Sequence, residues 1–149
     1  MRVRSAVTLA VVATVAVGSL VPAQAAAKKK PIVKNYTVSN MLPHPNPPTG
    51  PSCSSAPEGV SEHRLPLKVT GPGKLQVTVT GFTGDWDIGV YNAADANVAQ
   101  GGGADSPNTE TAPQESLTYK SKKAQTLYVD VCNFLGSPEA KVKLVYTYL

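Results

Sequence analysis

From Gly59 to the C-terminus, apolar residues recur at every second position, and this restricts the chain more than any other feature. Leu65, Leu67 and Val69 alternate with Pro66 and Lys68. Leu75, Val77 and Val79 alternate with Gln76, Thr78 and Thr80. Trp86, Ile88 and Val90 alternate with Asp85, Asp87, Gly89 and Tyr91. Leu117 and Tyr119 alternate with Ser116, Thr118 and Lys120. Leu127, Val129 and Val131 alternate with Tyr128, Asp130 and Cys132. Val142, Leu144, Tyr146 and Tyr148 alternate with Lys141, Lys143, Val145 and Thr147. A period of two places successive side chains on opposite faces of a strand, so each run predicts a strand with one face buried and one face wet. The punctuation agrees: Gly71-Pro72-Gly73, Gly81 to Gly84, Ser121-Lys122-Lys123 and Gly136-Ser137-Pro138 fall between the runs. With shorter pieces near Tyr36 and Val98, the expectation is an all-β, antiparallel, jelly-roll-like β-sandwich of about seven to eight strands, with Trp86 in its core. No amphipathic helix is apparent in that region.

The first residues follow a different rule. Arg2 and Arg4 are charged, Ala6 to Val21 carry no charge, and Pro22-Ala23-Gln24-Ala25 offers small residues at Ala23 and Ala25. That order describes a secretory signal peptide over residues 1–25, with cleavage after Ala25 or Ala27. The apolar run is short for a spanning helix, which needs about 20 residues. No Cys follows it, so a lipoprotein anchor is not expected. The chain is therefore read as exported, extracellular, without a membrane span after cleavage, and monomeric. The roughly 120 residues that remain suit one domain.

Charge gives little support to a nucleic-acid role. Fourteen Lys and Arg stand against ten Asp and Glu, and two of the cations are Arg2 and Arg4. Three more, Lys28-Lys29-Lys30, directly follow the cleavage region and read as a solvated tail, or as a loose contact to an acidic envelope polymer. Nucleic-acid binding calls for cations grouped on one face of a domain. Residues 26–57 read as a Pro-rich linker, with a short edge strand at Lys34 to Val38. The two cysteines, Cys53 and Cys132, are most simply one disulfide in an oxidising compartment, two free thiols being the alternative.

Gly73 to Tyr91, containing Gly84-Asp85-Trp86-Asp87-Ile88, resembles a signature of bacterial pre-peptidase C-terminal domains. Thr126 to Phe134 resembles that family's Y-x-V-x-V strand, and Val142 to Tyr148 its closing strand. The resemblance spans residues 58–149 and implies a non-catalytic jelly-roll sandwich that in some members binds collagen, other polymers or calcium. No peptidase accompanies it here.

Calcium takes six to eight oxygens, several of them carboxylate. The linker has no acidic residue, so the candidates are Asp85 and Asp87, and the loop residues Asp105, Asn108 and Glu110 within residues 101–113. Each set has a simpler reading, as turn hydrogen bonding or as a solvated loop. Tyr91 and Tyr128 fall on the polar faces of their strands, where an uncovered ring contacts polymers or proteins. A sheet, loop or linker lying over them would remove that role. Catalysis has poor support: the two histidines, His44 and His63, have no recognisable partners, and Asp85 with Asp87 lies too near a turn to suggest glycosidase acids. The leading expectation is a secreted, non-catalytic binding or accessory module for a polymer, cell-envelope or protein surface. An inhibitor presenting loop 101–113 to an extracellular protease is the alternative, and a hydrolytic enzyme the third.

Overall fold

In a computed structural model of the chain, the described residues are 28–44, 53, 56–101 and 114–149. Eight strands form: β1 (Ile32–Val38), β2 (Glu62–Val69), β3 (Gly73–Thr80), β4 (Gly84–Tyr91), β5 (Asn97–Gly101), β6 (Gln114–Ser121), β7 (Gln125–Gly136) and β8 (Ala140–Tyr148). They build two four-stranded sheets in the orders β1-β8-β3-β6 and β2-β7-β4-β5. Every pairing is antiparallel. Six of the seven connections pass from one sheet to the other, β4 to β5 being the exception, and the resulting order is that of an eight-stranded jelly roll. The fold expected from the period-two pattern is the fold observed.

The core lies between the sheets. Leu75, Val77, Val79, Val142, Leu144 and Tyr146 face Leu65, Leu67, Trp86, Ile88, Leu127 and Val129 across it. Each contributes its apolar area to the interior, at about 1.5–3 kcal/mol per large side chain. Trp86 is fully buried, as the pattern requires, and packs its ring 6.0 Å from that of Phe82.

Turn chemistry sets the strand ends. Tyr146, also fully buried, donates its hydroxyl to the Gly71 carbonyl at 2.7 Å, so the Gly71-Pro72-Gly73 turn is fastened from inside the sandwich. Gly84 has φ +84°, and a Cβ there would collide with the Leu135 carbonyl. Only glycine allows β4 to start so close to the end of β7.

The segment read as a linker is packed where it is described. Lys29, expected in a solvated tail, donates to the Thr70 carbonyl at 2.8 Å and lies 5.1 Å above the Tyr148 ring. The short edge strand is β1, paired along β8. Beyond it the chain passes the end of the sandwich at the β7–β8 turn, with Met41 in the main core and His44 against Phe134. The backbone N–H groups of Met41, Leu42 and His44 bond to the carbonyls of Pro138, Val60 and Asn133. Asn133, fully buried, donates its side-chain amide to the carbonyls of Met41 and Ser137. A Pro-rich stretch loses donors at each proline, and here the bonds are made at the residues between them.

Cys53 and Cys132 form the expected disulfide, with Cα atoms 5.6 Å apart and 79 positions between them. It joins the segment read as a linker to the middle of β7. Cys53, Ala56, Cys132 and Phe134 make a small second cluster outside the main core. Replacing both cysteines by alanine should lower unfolding stability by about 2–4 kcal/mol, because a long loop is no longer closed in the unfolded chain. Urea titration of the variant beside the oxidised protein measures this, and equal midpoints would refute it.

Candidate functional site

The two sheets present very different outer faces. On the second sheet, register sets out rows of side chains. Glu62, Cys132 and Asp87 form one row, Arg64, Asp130 and Gly89 the next, and Pro66, Tyr128 and Tyr91 a third. Arg64 is the single arginine after residue 4. Its Nε and Nη2 donate to the two oxygens of Asp130 at 2.9 and 2.7 Å, and its Nη1 donates to Asp95 at 2.9 Å. The planar guanidinium suits this fork. Asp95 sits at φ 58° in a turn organised by the Asn92 side chain, which accepts from the N–H groups of Ala94 and Ala96.

The same guanidinium lies 5.2 Å from the Tyr91 ring centroid and 5.5 Å from that of Tyr128. Both tyrosines are on the outward face, as alternation predicts. Tyr91, however, is only 4% exposed, and Tyr128 is half-buried. Gly89 is part of the reason: a Cβ there would meet the Tyr91 ring, so glycine lets the ring lie back along the strand. Tyr91 therefore offers no open ring to a ligand, which corrects that expectation. Cation–π contact with Arg64 accounts for both rings.

Acidic groups are concentrated beneath this cover. Asp130 is fully buried and Glu62 is 6% exposed. Burial, together with the charge of Asp130 and a hydrogen bond to it, pushes the Glu62 carboxyl up to about 8. Burial and the neighbouring Asp85 push Asp87 up to about 6. Arg64 is held firmly protonated, first by its hydrogen bond to Asp130. Glu62 in its neutral form is thus a donor to Asp130, which in turn accepts from Arg64. Sequence reasoning missed this group, since Glu62 and Arg64 lie on β2, Asp130 lies on β7, and all three read as wet positions.

As calcium ligands the sequence candidates are scattered. Asp105, Asn108 and Glu110, and the loop proposed for an inhibitor apart from Gly101, lie outside the described residues. Asp85 and Asp87 are neighbours, but no group of three or more potential metal ligands occurs among the described residues. Two carboxylates alone do not make a calcium cage. His63 is exposed at the start of β2, and His44 is buried against the Phe134 ring, 5.7 Å away.

The first sheet's outer face is open. Its rows read Thr37-Lys141-Thr80-Gln114, Asn35-Lys143-Thr78-Ser116 and Val33-Val145-Gln76-Thr118, ending in Thr147-Lys74-Lys120. Lys74, Lys120, Lys141 and Lys143 are all exposed. No strand position on this face carries a carboxylate; Glu139 lies just beyond it in the β7–β8 turn. The ion pairs among the described residues all belong to Arg64, and none of these lysines takes part. Lys74 and Lys120 stand directly opposite each other in register, an arrangement that costs a sheet stability.

Arg64→Met should cost about 3–5 kcal/mol in chemical unfolding, because it strands the buried Asp130 charge; a loss below about 1 kcal/mol would contradict the assignment. A pH series of thermal melts gives a second check. Glu62 and Asp87 bind protons more tightly folded than unfolded, so stability is greatest at low pH. It declines as pH rises from 3.8 to about 6 for Asp87 and from 4.5 to about 8 for Glu62. Between pH 5 and 8 the melting temperature should fall, and Glu62→Gln should flatten the upper part of that fall.

No family model matches the sequence, and no curated protein matches it. Solved structures do. The pre-peptidase C-terminal domain of a Bacillus anthracis collagenase matches at 11% identity and a TM-score of 0.45, over 76% of this chain and 88% of that one. The infectious bursal disease virus VP2 subviral particle matches at 8% identity and a TM-score of 0.40, over 92% of this chain and 37% of that one. Latent PorU from Porphyromonas gingivalis matches at 12% identity and a TM-score of 0.34, over 84% and 13%. The family whose motifs the sequence resembles is thus among the structural matches, and likeness at this level assigns no ligand or activity.

Proposed function

We propose that this chain is an exported, non-catalytic binding module that holds an extracellular ligand on the outer face of the β1-β8-β3-β6 sheet. One observation carries the reading: among the described residues, one sheet of the sandwich is covered on its outside and the other is not. On the second sheet Cys53 and Ala56 pack over Cys132 and Phe134, and Arg64 closes over the tyrosines. Among the described residues the first sheet leaves its four-stranded outer face in water. A broad face of this kind suits an extended polymer or a protein surface better than a small molecule, which takes an enclosed site.

A hydrolytic reading has less support. The carboxylates with raised proton affinity, Glu62 and Asp87, are buried, and Glu62 faces Asp130 and Arg64. General acid–base work needs such groups within hydrogen-bond reach of a substrate. Export is supported by the leader-like residues 1–25 and by the disulfide, which suits an oxidising compartment. No helix among the described residues is long and apolar enough to cross a membrane.

Two measurements test the reading. Expression with the native leader should release protein into an extracytoplasmic fraction, with intact mass placing the first residue at 26 or 28. Sedimentation with insoluble and soluble extracellular polymers should then show retention by at least one of them. A bulky maleimide on Thr118→Cys should block that retention, whereas the same group on Lys68→Cys, on the opposite sheet, should leave it intact. Retention that ignores the Thr118 label would overturn the placement of the site.

A further inference from the structure

The open face has one sign of charge, and this points to the chemistry of what it binds. Protein surfaces ordinarily intersperse cations and anions. Here four lysines share a face whose strand positions hold no acid, while Glu62, Asp87 and Asp130 are gathered on the other sheet. Lysines on edge strands guard against edge-to-edge pairing, and that accounts for Lys120 on β6. It does not account for Lys141 and Lys143 on β8 or Lys74 on β3, which are inner strands. Nor does it account for Lys74 facing Lys120 in register, an arrangement that an anion shared between them would relieve.

The lysines form two pairs at opposite corners. Lys141 and Lys143 lie two residues apart on one strand, roughly 7 Å at strand rise. They border a groove of about 340 Å³ that also involves Asn35, Thr37 and Thr80. Lys74 and Lys120 lie diagonally across the sheet, beside Thr147. Along β8, the Lys143 row and the Thr147 row are roughly 13 Å apart. The row between holds Val145 with Gln76 and Thr118, and Thr78 and Ser116 stand beside Lys143. The face therefore alternates point cations with neutral hydrogen-bonding groups along a diagonal.

We infer that this diagonal binds a linear polyol-phosphate chain, whose isolated phosphodiester charges sit on the two lysine pairs and whose free hydroxyls meet the threonine and amide side chains between them. Lysine binds phosphate as a point charge, whereas carboxylate polymers are better met by the arginine fork, and no arginine stands on this face. Single-stranded nucleic acid shares the phosphodiester but calls for aromatic side chains to stack its bases; this face has none at its outward strand positions. The inference rests on the module reading above and adds the ligand class.

The experiment is calorimetric titration of the purified protein with a defined poly(glycerol phosphate) oligomer at several salt concentrations. With one phosphate held by each lysine pair, log K should fall against log salt with a slope of roughly −1.4, by the single-strand value of about −0.7 per phosphate. The double variants Lys141→Gln with Lys143→Gln, and Lys74→Gln with Lys120→Gln, should each weaken binding at least tenfold and reduce the slope by about 0.7. Lys68→Gln with Lys122→Gln, outside this face, should bind as the parent does. Thermal melts of the face variants should match the parent or exceed it, which separates lost binding from lost folding.

Absence of binding, unchanged affinity in both face variants, or equal binding of polygalacturonate or of single-stranded DNA overturns the ligand class. Failure with the phosphate polymer, but retention of another polymer blocked by the Thr118 label, overturns this inference alone. Retention of nothing overturns the module reading with it.

Discussion

Strand β7 is buried on both faces, and much of the molecule follows from that. Its inward residues Leu127, Val129 and Val131 need only an apolar partner. Two of its residues, outward-facing Asp130 and, opposite Trp86 at the inward-facing end of the strand, Asn133, are fully buried and polar. A buried charge without a partner is among the costliest defects a fold can carry. Asp130 is answered by Arg64 from the neighbouring strand, in the two-pronged geometry that satisfies both oxygens. Asn133 is answered by carbonyls of Met41 and of the β7–β8 turn. The chain that packs on the outer face and at the end of β7 is therefore a condition for the strand to sit where it does, and the disulfide at Cys132 holds that chain at the same strand.

Placing Arg64 over Asp130 has consequences along the row. The guanidinium also stacks above Tyr91 and Tyr128, so two aromatic residues that would otherwise be exposed become part of the cover. It leaves Glu62 beside Asp130, where burial and the Asp130 charge outweigh the Arg64 charge and favour its neutral form. One cation serves Asp130 and Asp95 at short range, and Glu62 at 3.8 Å. A sheet face that uses its arginine in this way has little left to offer a ligand.

The strands and their order of appearance were legible in the sequence because period two is a direct consequence of backbone geometry. The seven or eight expected strands are the eight observed, and Val98 and Tyr36 do lie in β5 and β1. What alternation does not reveal is whether the outward face stays wet. Asp87, Gly89, Tyr91 and Asp130 have the polar or small character of surface positions, yet they are covered, Asp87 and Asp130 by Cys53 from the stretch the prolines of residues 31–57 had marked as linker, Tyr91 by Arg64 and Gly89 by the Tyr91 ring. The same limit hid the lysine face. Each lysine is visible at an alternate position of its own run. Only the register, with β3 lying between β8 and β6, sets Lys74 opposite Lys120 and puts all four lysines on one surface.

The contrast between the faces also explains how a domain near electrical neutrality can carry a strongly polar site. Leader removed, twelve cations face ten anions, which is uninformative as a sum. Burial of Glu62, Asp87 and Asp130 on one side withdraws three of those anions from the surface near the lysines, with the sandwich core between. Asp130 is answered by Arg64 on its own sheet, and burial favours the neutral form of Glu62, so the acids behind the open face do little to cancel its lysine field. The sandwich lets one small domain use charge twice: inside its cover, to hold β7 in place, and on the opposite face, to attract an anion.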